Sequence, residues 1–131
     1  MNLETEHIQL HGKPNFHTGI DLAGAWHTEI LSVLDGKVVF AGVLGGYGNC
    51  VKIEHTYKEE TIYTLYAHLA EIYVSNGQEI KQGNIIGTQG GDPKRDNNPG
   101  SSTGSHLHFE IRKSAGGDFQ NPRNYLYGGG G

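Results

Sequence analysis

The chain has 131 residues, which is the length of one domain with a single core. It is too short to bury a second core. Twenty-one residues are glycine and 35% are apolar, a composition typical of short strands joined by tight turns. Fourteen acidic and ten basic residues give a net charge of −4, and because no basic cluster exceeds Lys94-Arg95, the charge pattern of a nucleic-acid-binding protein is excluded.

The first part of the chain predicts an arm followed by a β-hairpin. Residues 1–16 are polar and irregular, and an alternating segment follows at 17–23. The apolar run 30–34 then leads through Asp35-Gly36 into a second run at 37–41. Because Asp-Gly between two such runs is a strong hairpin signal, we expect these two strands to pair with each other.

The middle of the chain predicts more short strands. The segment 45–48 reverses the chain, and a second hairpin is expected from 50–54 and 61–68, with 55–60 as its polar loop. Helical periodicity is weak and confined to 69–74. Further strands are expected at 72–74, 79–80 and 85–88. This regular spacing predicts an all-β fold, a sandwich or a barrel.

A long polar segment precedes the last predicted strand. Residues 90–104 are rich in Gly, Asp, Asn, Ser and Pro, and loops of this length in a compact domain are usually functional or disordered. The last strand is expected at 106–111. The final residues, 128–131, are all glycine and predict a tail. One domain, 17–127, is therefore expected between the arm, 1–16, and this tail.

The last predicted strand carries two histidines on one face. Residues two apart on a strand face the same way, so His106, His108 and Glu110 lie together. The opposite face is core: Leu107, Phe109 and Ile111. Adjacent imidazoles repel when charged, and a metal ion removes the repulsion by holding one as a neutral ligand while the other does acid-base chemistry. The alternative is a pair of exposed strand histidines.

A second pair, His17 and Asp21, is four residues apart in an extended segment, so both side chains face the same way. Together with one of His106 or His108, it supplies two nitrogen ligands and one oxygen ligand, as in a catalytic zinc site. His68 ends another predicted strand. The alternative for this pair is a turn histidine beside a capping aspartate.

Missing motifs narrow the chemistry further. The sequence has no His-Glu-x-x-His, which excludes the helix-borne zinc-protease site, and no Cys-x-x-Cys, which excludes a zinc ribbon. It also has no Gly-x-Ser-x-Gly elbow and no phosphate-binding loop. Calcium and magnesium are disfavoured because imidazoles dominate the candidate ligands.

These motifs resemble the lysostaphin/LytM-type zinc endopeptidases, which cut peptidoglycan cross-links. The resemblance rests on HTGID (17–21), LYAHL (65–69) and STGSHLHFEI (102–111), with DGKVVFAG and GGYGN between them, and it covers about residues 15–127. It implies a small open β-sandwich with a substrate groove over its central antiparallel sheet. Two departures are the longer segment 91–100, which alters the groove wall, and Ser105 in place of the family's common proline.

The resemblance also implies a site and a mechanism. One Zn²⁺ per chain would be held by His17, Asp21 and His108, with His68 and His106 as the catalytic histidines beside it. His106 is the candidate general base, and His68 would stabilise the oxyanion or protonate the leaving amine. The implied function is a zinc metalloendopeptidase, a peptidoglycan hydrolase.

The expected partners are the stem and bridge peptides of peptidoglycan. A D-Ala-containing cross-link is favoured over Gly-Gly as the bond that is cut. One alternative is a non-catalytic cell-wall binding or hydrolase-activating module on the same fold, which would be expected to have lost metal ligands. Another is an unrelated zinc hydrolase of small molecules.

An enzyme of this kind would act outside the cell, at the cell wall, as a secreted protein or as a phage tail or lysis enzyme. The acidic start of the chain predicts no signal peptide within it. The longest mostly apolar stretch, 30–44, is broken by Asp35 and Lys37, so no membrane span is expected. A monomer without a nucleic-acid partner is predicted.

The remaining histidines are expected at the solvated surface: His7, His11, His27 and His55. Cys50 permits no internal disulfide and is expected to be a small buried apolar residue. Three aromatic residues are expected in the core or the groove wall: Trp26, Tyr47 and Tyr66.

Overall fold

The computed structural model of the chain describes residues 20–97, 100, 104–114 and 117–120. The predicted arm, 1–16, lies outside these residues, as do His17 and the predicted glycine tail, 128–131. No helix in the described part of the chain is long and apolar enough to cross a membrane.

Ten strands and one 3-10 turn make up the regular structure of the described residues. The turn is Gly45–Tyr47. The strands are β1 (Ile20–Ala23), β2 (Glu29–Leu31), β3 (Gly36–Val43), β4 (Asn49–Tyr57), β5 (Glu60–Ala67), β6 (Leu69–Ile72), β7 (Glu79–Ile80), β8 (Ile85–Gln89), β9 (His106–Ser114) and β10 (Gly117–Gln120). The predicted all-β class is confirmed, and the weak helical signal at 69–74 is wrong because β6 pairs with β8 instead.

The strands form two antiparallel sheets that do not close into a barrel. The large sheet has the order β1-β9-β5-β4-β3-β7, and the small sheet has the order β2-β8-β6. Strand β9 has three partners in the large sheet: β5 pairs along it, β1 pairs with its first residues and β10 with its last. The open-sandwich prediction is therefore confirmed.

The main core lies between the two sheets. Alternate residues of the large sheet face the small one, as expected from the two-residue period of strands. The cluster comprises Leu22, Ile30, Val33, Val38, Val51, Ile53, Ile62, Tyr66, Leu69, Val74, Ile80, Ile86, Leu107, Phe109 and Ile111. A smaller cluster of Cys50, Leu65 and Ala67 lies on the opposite face of the large sheet, with Phe40 and Tyr47 packed against it. This opposite face carries the candidate site.

The first predicted hairpin is wrong. Strand β2 pairs with β8 in the small sheet, whereas β3 pairs with β4 in the large one. A two-residue turn of the expected type needs positive φ at both central residues, and neither Asp35 nor Gly36 has it. Instead, Ser32 hydrogen-bonds through its backbone to the 83–84 turn, so the chain crosses from one sheet to the other before β3 begins.

The second predicted hairpin is confirmed, but its strands are longer than expected. Tyr57 pairs with Glu60, and the turn consists of Lys58 and Glu59, both with positive φ (51° and 67°). His55 therefore lies within β4 rather than in a loop. It is 2% exposed, so its predicted place at the surface is wrong. It continues the core-facing alternation that runs through Val51 and Ile53.

Buried His55 is held as a neutral imidazole. Its Nδ1 lies 2.8 Å from the carbonyl oxygen of Asp35, which only accepts, so Nδ1 carries the proton. Its Nε2 lies 2.7 Å from Oγ1 of Thr64. Burial lowers the pKa of His55, and the hydrogen bond to Asp35 offsets this only in part.

We expect His55 to make folding stability depend on pH. The unfolded chain binds a proton at the ordinary histidine pKa of about 6.5, whereas folded His55 binds one only at lower pH. Its contribution is therefore complete above about pH 6.5 and is lost as the pH falls below this toward the folded-state pKa. Urea unfolding of the wild type and of His55→Gln between pH 8 and 5 should show a shallower loss in the variant. Equal slopes would assign the pH dependence to another group.

Candidate metal centre and active site

Strand pairing brings Asp21 and His108 together. They are register partners of β1 and β9, so their side chains lie side by side on the open face of the large sheet. Oδ1 of Asp21 lies 2.9 Å from Nδ1 of His108 and 3.6 Å from Nε2 of His106. One carboxylate and two imidazoles therefore converge at the N-terminal end of β9.

His106 presents its Nε2 to this cluster. Its Nδ1 lies 3.0 Å from the carbonyl oxygen of Gly104, which can only accept a hydrogen bond. In the neutral ring the proton therefore sits on Nδ1, and Nε2 carries the lone pair on the side of Asp21. This tautomer can accept a proton at Nε2, which is what a general base requires.

His108 lies between two carboxylates. Its Nε2 is 2.9 Å from Oε2 of Glu110, and its Nδ1 faces Asp21. Burial alone would lower the pKa of His108, but hydrogen bonds to Glu110 and Asp21, with their charges, outweigh burial and raise it. When Glu110 accepts the Nε2–H, the Nδ1 lone pair and the Asp21 oxygen face each other, and a cation can be shared between them.

Zinc suits this donor set. Two ligand atoms on one tetrahedral zinc ion, each about 2.0–2.2 Å from it, lie roughly 3.3–3.6 Å apart. Oδ1 of Asp21 and Nδ1 of His108, the two described ligand atoms, are 2.9 Å apart, slightly closer than this range. Within the described ranges, no set of three or more His, Cys, Asp or Glu side chains forms a group that could hold a metal ion. The described residues thus supply two of the predicted ligands, and the third, His17, lies outside them.

His68 reaches the cluster through an unusual backbone conformation. It follows the last residue of β5 and has φ of 62°, which is uncommon for a residue other than glycine. Its backbone N–H donates to the carbonyl of Tyr47 (2.9 Å). The ring centroid lies 5.0 Å from that of His106 and 6.2 Å from that of His108, and the side chain is nearly buried. Backbone strain of this kind is often found at functional sites.

A buried polar network behind His108 has no assigned role in the sequence-based interpretation. It consists of Glu110, Arg112 and Tyr47, which we call the supporting network. Glu110 accepts from the Tyr47 hydroxyl at 2.7 Å and pairs with Arg112 at 2.6 Å. The pattern Glu-x-Arg after the second histidine places both residues on the same face of β9, and this was the available signal.

The segment 90–97 forms a wall beside the histidines. The carbonyl of Gly90 accepts from the N–H of His106 (3.2 Å), and a Cβ at Gly90 would lie only 2.7 Å from the carbonyl oxygen of His68. A Cβ at Gly100 would clash with the carbonyl oxygen of Gly46. At Gly90 the chain therefore lies beside His68 and His106, and at Gly100 it lies against the 3-10 turn.

Asp96 holds this wall together. Its Oδ1 accepts from the Trp26 indole N–H (2.8 Å), and its Oδ2 accepts from the backbone N–H groups of Gly91 and Asp92. Arg95 lies over the Trp26 ring, 5.0 Å from its centroid. One carboxylate thus satisfies three donors from two separate segments.

We expect Asp96→Ala to loosen the wall without unfolding the domain. Removing an acceptor shared by three donors should lower the free energy of unfolding by about 2 kcal/mol, measured by urea titration. Limited proteolysis should then cut within 91–97 faster than in the wild type. Lys94→Ala changes an exposed residue of the same segment and is the control. Equal cleavage rates in the two variants would contradict the anchoring role.

Several other predicted placements can be compared with the structure. Cys50 is buried, as predicted, and burial raises its pKa to about 11. Tyr66 is a core residue, Tyr47 lies at the site, and Trp26 is half-buried. His27 is exposed, as predicted, and its Nε2 lies 2.9 Å from Glu71.

Comparison with known proteins gives the family. Residues 15–122 match the model of Peptidase family M23. The chain therefore belongs to peptidase family M23, and the resemblance seen in its motifs is confirmed.

Two curated relatives and one solved structure are similar to this chain. The DD-carboxypeptidase/endopeptidase Mpg of Neisseria meningitidis is 42% identical over 96 residues, which are 73% of this chain and 20% of the relative. The murein hydrolase activator NlpD of Escherichia coli is 39% identical over 109 residues, 82% of this chain and 25% of the relative. The chain thus spans a fifth to a quarter of these proteins.

The catalytic domain of the antimicrobial peptidase lysostaphin from Staphylococcus simulans has the same fold. It superposes with a TM-score of 0.72 at 27% identity, covering 92% of this chain and 87% of that domain. The antiparallel architecture described above is therefore that of a known peptidase domain.

Proposed function

We propose that the chain is a zinc-dependent endopeptidase that hydrolyses peptide cross-links of bacterial peptidoglycan. The observation that carries the proposal is the convergence of Asp21, His106 and His108, with His68 beside them, on the open face of the large sheet. The M23 match and the name of one relative, a murein hydrolase activator, support the substrate class. A wall on one side and an open sheet on the other suit an extended peptide substrate.

His17, Asp21 and His108 would hold the metal. Zinc supplies Lewis-acid chemistry when bound: it activates a water molecule and polarises the scissile carbonyl. Asp21 and His108 meet the requirement for an oxygen and a nitrogen ligand, each with a lone pair directed into the same space. His17 completes the set by resemblance alone, since it lies outside the described residues.

The two remaining histidines would move protons. His106 takes the proton of the attacking water at Nε2, because Gly104 fixes the opposite nitrogen as a donor. His68 faces the same space and donates a hydrogen bond to the developing oxyanion or a proton to the leaving amine. Their rings are close enough to act on the two sides of one peptide bond.

The bond that is cut is proposed to contain D-Ala rather than to be Gly-Gly. The name of the relative from Neisseria meningitidis, a DD-carboxypeptidase/endopeptidase, supports a bond between D-configured residues. The substrate places the site of action at the cell wall, outside the cytoplasm. A single chain supplies all five proposed residues, so a monomer would suffice.

A second candidate is a module that activates another cell-wall hydrolase. The similarity to an activator of murein hydrolases over 82% of this chain favours it. All five proposed site residues are present in this sequence, and a module without catalysis has no need of them. This favours the enzyme.

Purified peptidoglycan separates the two candidates. We expect the isolated chain to release soluble peptide-containing fragments, to lose this activity in a chelator, and to regain it when zinc is added back. Release of fragments only when a second hydrolase is present would support the activator and overturn the enzyme. Magnesium added back in place of zinc serves as the control.

A further inference from the structure

The carboxylate behind His108 is fully occupied by donors. Glu110 is 0% exposed, and a buried carboxylate is costly unless its oxygens are satisfied. Its Oε2 accepts from His108 Nε2 (2.9 Å) and from the Tyr47 hydroxyl (2.7 Å). Its Oε1 accepts from Nε and Nη2 of Arg112, at 2.8 and 2.6 Å. Four donors use the four acceptor positions of an ionised carboxylate.

Arg112 fixes the carboxylate from the far side. Its side chain is 6% exposed, and its guanidinium lies 4.6 Å from the centroid of the Phe119 ring. Nη2 also reaches the Tyr47 hydroxyl at 3.3 Å. Arg112 and Tyr47, which both donate to Glu110, are thus held in place by further contacts. The carboxylate therefore cannot turn away from His108 without losing several hydrogen bonds.

Tyr47 also connects this network to His68, one of the two proposed catalytic histidines. Its ring stacks beside His108, with centroids 5.9 Å apart, and its backbone carbonyl accepts from the N–H of His68. The 3-10 turn that carries Tyr47 therefore orients both His68 and His108. A displacement of this turn would disturb both rings.

The consequence concerns which nitrogen of His108 is presented to the metal. A neutral imidazole carries one proton, and a carboxylate that accepts Nε2–H leaves the Nδ1 lone pair facing Asp21. We propose that Glu110, held by Arg112 and Tyr47, is a positioning residue that fixes His108 in the Nε2–H tautomer, so that Nδ1 binds the metal. The inference rests on the proposed zinc site.

A purely structural ion pair would behave differently. Replacing a buried pair by apolar residues of similar volume is often neutral for stability, whereas a methionine cannot accept the Nε2–H of His108. Metal affinity therefore separates the two roles. Removing a partner of a metal-binding histidine typically weakens metal binding about 10- to 100-fold.

The test compares two double variants of the full chain with the wild type. Glu110→Met with Arg112→Met removes the ion pair and the acceptor, whereas Glu110→Gln with Arg112→Met keeps an amide oxygen for His108. Zinc dissociation constants are measured by competition with a chromogenic chelator. We expect the zinc dissociation constant of the first variant to be about 10- to 100-fold larger than that of the wild type. The dissociation constant of the second variant should be at least about threefold smaller than that of the first.

Each outcome has a distinct meaning. Equal, tight zinc constants in the wild type and the double-methionine variant would overturn the positioning role and leave the proposed function standing. A wild type that binds no zinc would overturn both. If the double variants do not fold, nitrogen NMR of the zinc-loaded wild type decides. A proton on Nε2 of His108 supports the inference, and a proton on Nδ1 overturns it.

Discussion

Asp21→Ala is expected to lose bound zinc and peptidoglycan hydrolysis together. Asp21 supplies the oxygen ligand of the proposed set, and this oxygen lies within 3.6 Å of both imidazoles of β9. Without it the two remaining proposed ligands are both histidines, and activity should fall by at least about a hundredfold. Zinc content by atomic emission and fragment release from cell walls are the two measurements.

The fold should survive this substitution. Asp21 is more than half exposed, so its removal costs little burial energy. Glu29→Ala, an exposed acidic residue on the other sheet, is the control for loss of one negative charge. An Asp21→Ala protein with a full zinc complement would contradict the ligand assignment.

His106→Ala and His68→Ala are expected to lower turnover while zinc content stays near one per chain. A positioned acid-base group typically contributes about 10²- to 10⁴-fold, so each variant should lose at least about a hundredfold in kcat. The reason differs between the two: His106 would lose the proton acceptor at Nε2, and His68 the donor on the opposite side of the bond.

His27→Ala is the matched control for these two variants. His27 is an exposed histidine that pairs with Glu71. It should retain wild-type activity. Full activity in His106→Ala or His68→Ala would remove that residue from the mechanism, and loss of zinc in either would reassign it as a ligand.

The two-residue period of strands explains what could be predicted about the site. It places His106, His108 and Glu110 on one face of β9, and the structure shows Leu107, Phe109 and Ile111 buried on the other. The same period cannot place Asp21 beside His108, because that contact depends on which strand pairs with β9 and in which register. The motif resemblance supplied this information.

The position of His68 could not be predicted from strand alternation. A continuing strand would turn its side chain toward the core, since Ala67 faces the open side. The positive φ of His68, supported by the hydrogen bond to Tyr47, directs the ring to the site instead. The sequence shows no glycine or asparagine there to signal a left-handed residue.

The errors in the fold prediction have a common physical cause. The Asp35-Gly36 signal is local, but Ile30 buries its side chain by pairing opposite Gly87 of β8 in the other sheet. The polar character of His55 predicts a loop position, yet its hydrogen bonds to Asp35 and Thr64 satisfy both ring nitrogens inside the core. In each case, a partner distant in sequence decides the placement.

Mass spectrometry of a purified cross-linked muropeptide tests the central claim most directly. The zinc-loaded chain, incubated alone with a dimer joined through D-Ala, should convert it to two fragments whose summed mass exceeds that of the dimer by one water. One fragment should carry the newly exposed amine, and a chelator should prevent the conversion. An unchanged dimer in the presence of protein with one bound zinc per chain would contradict the account.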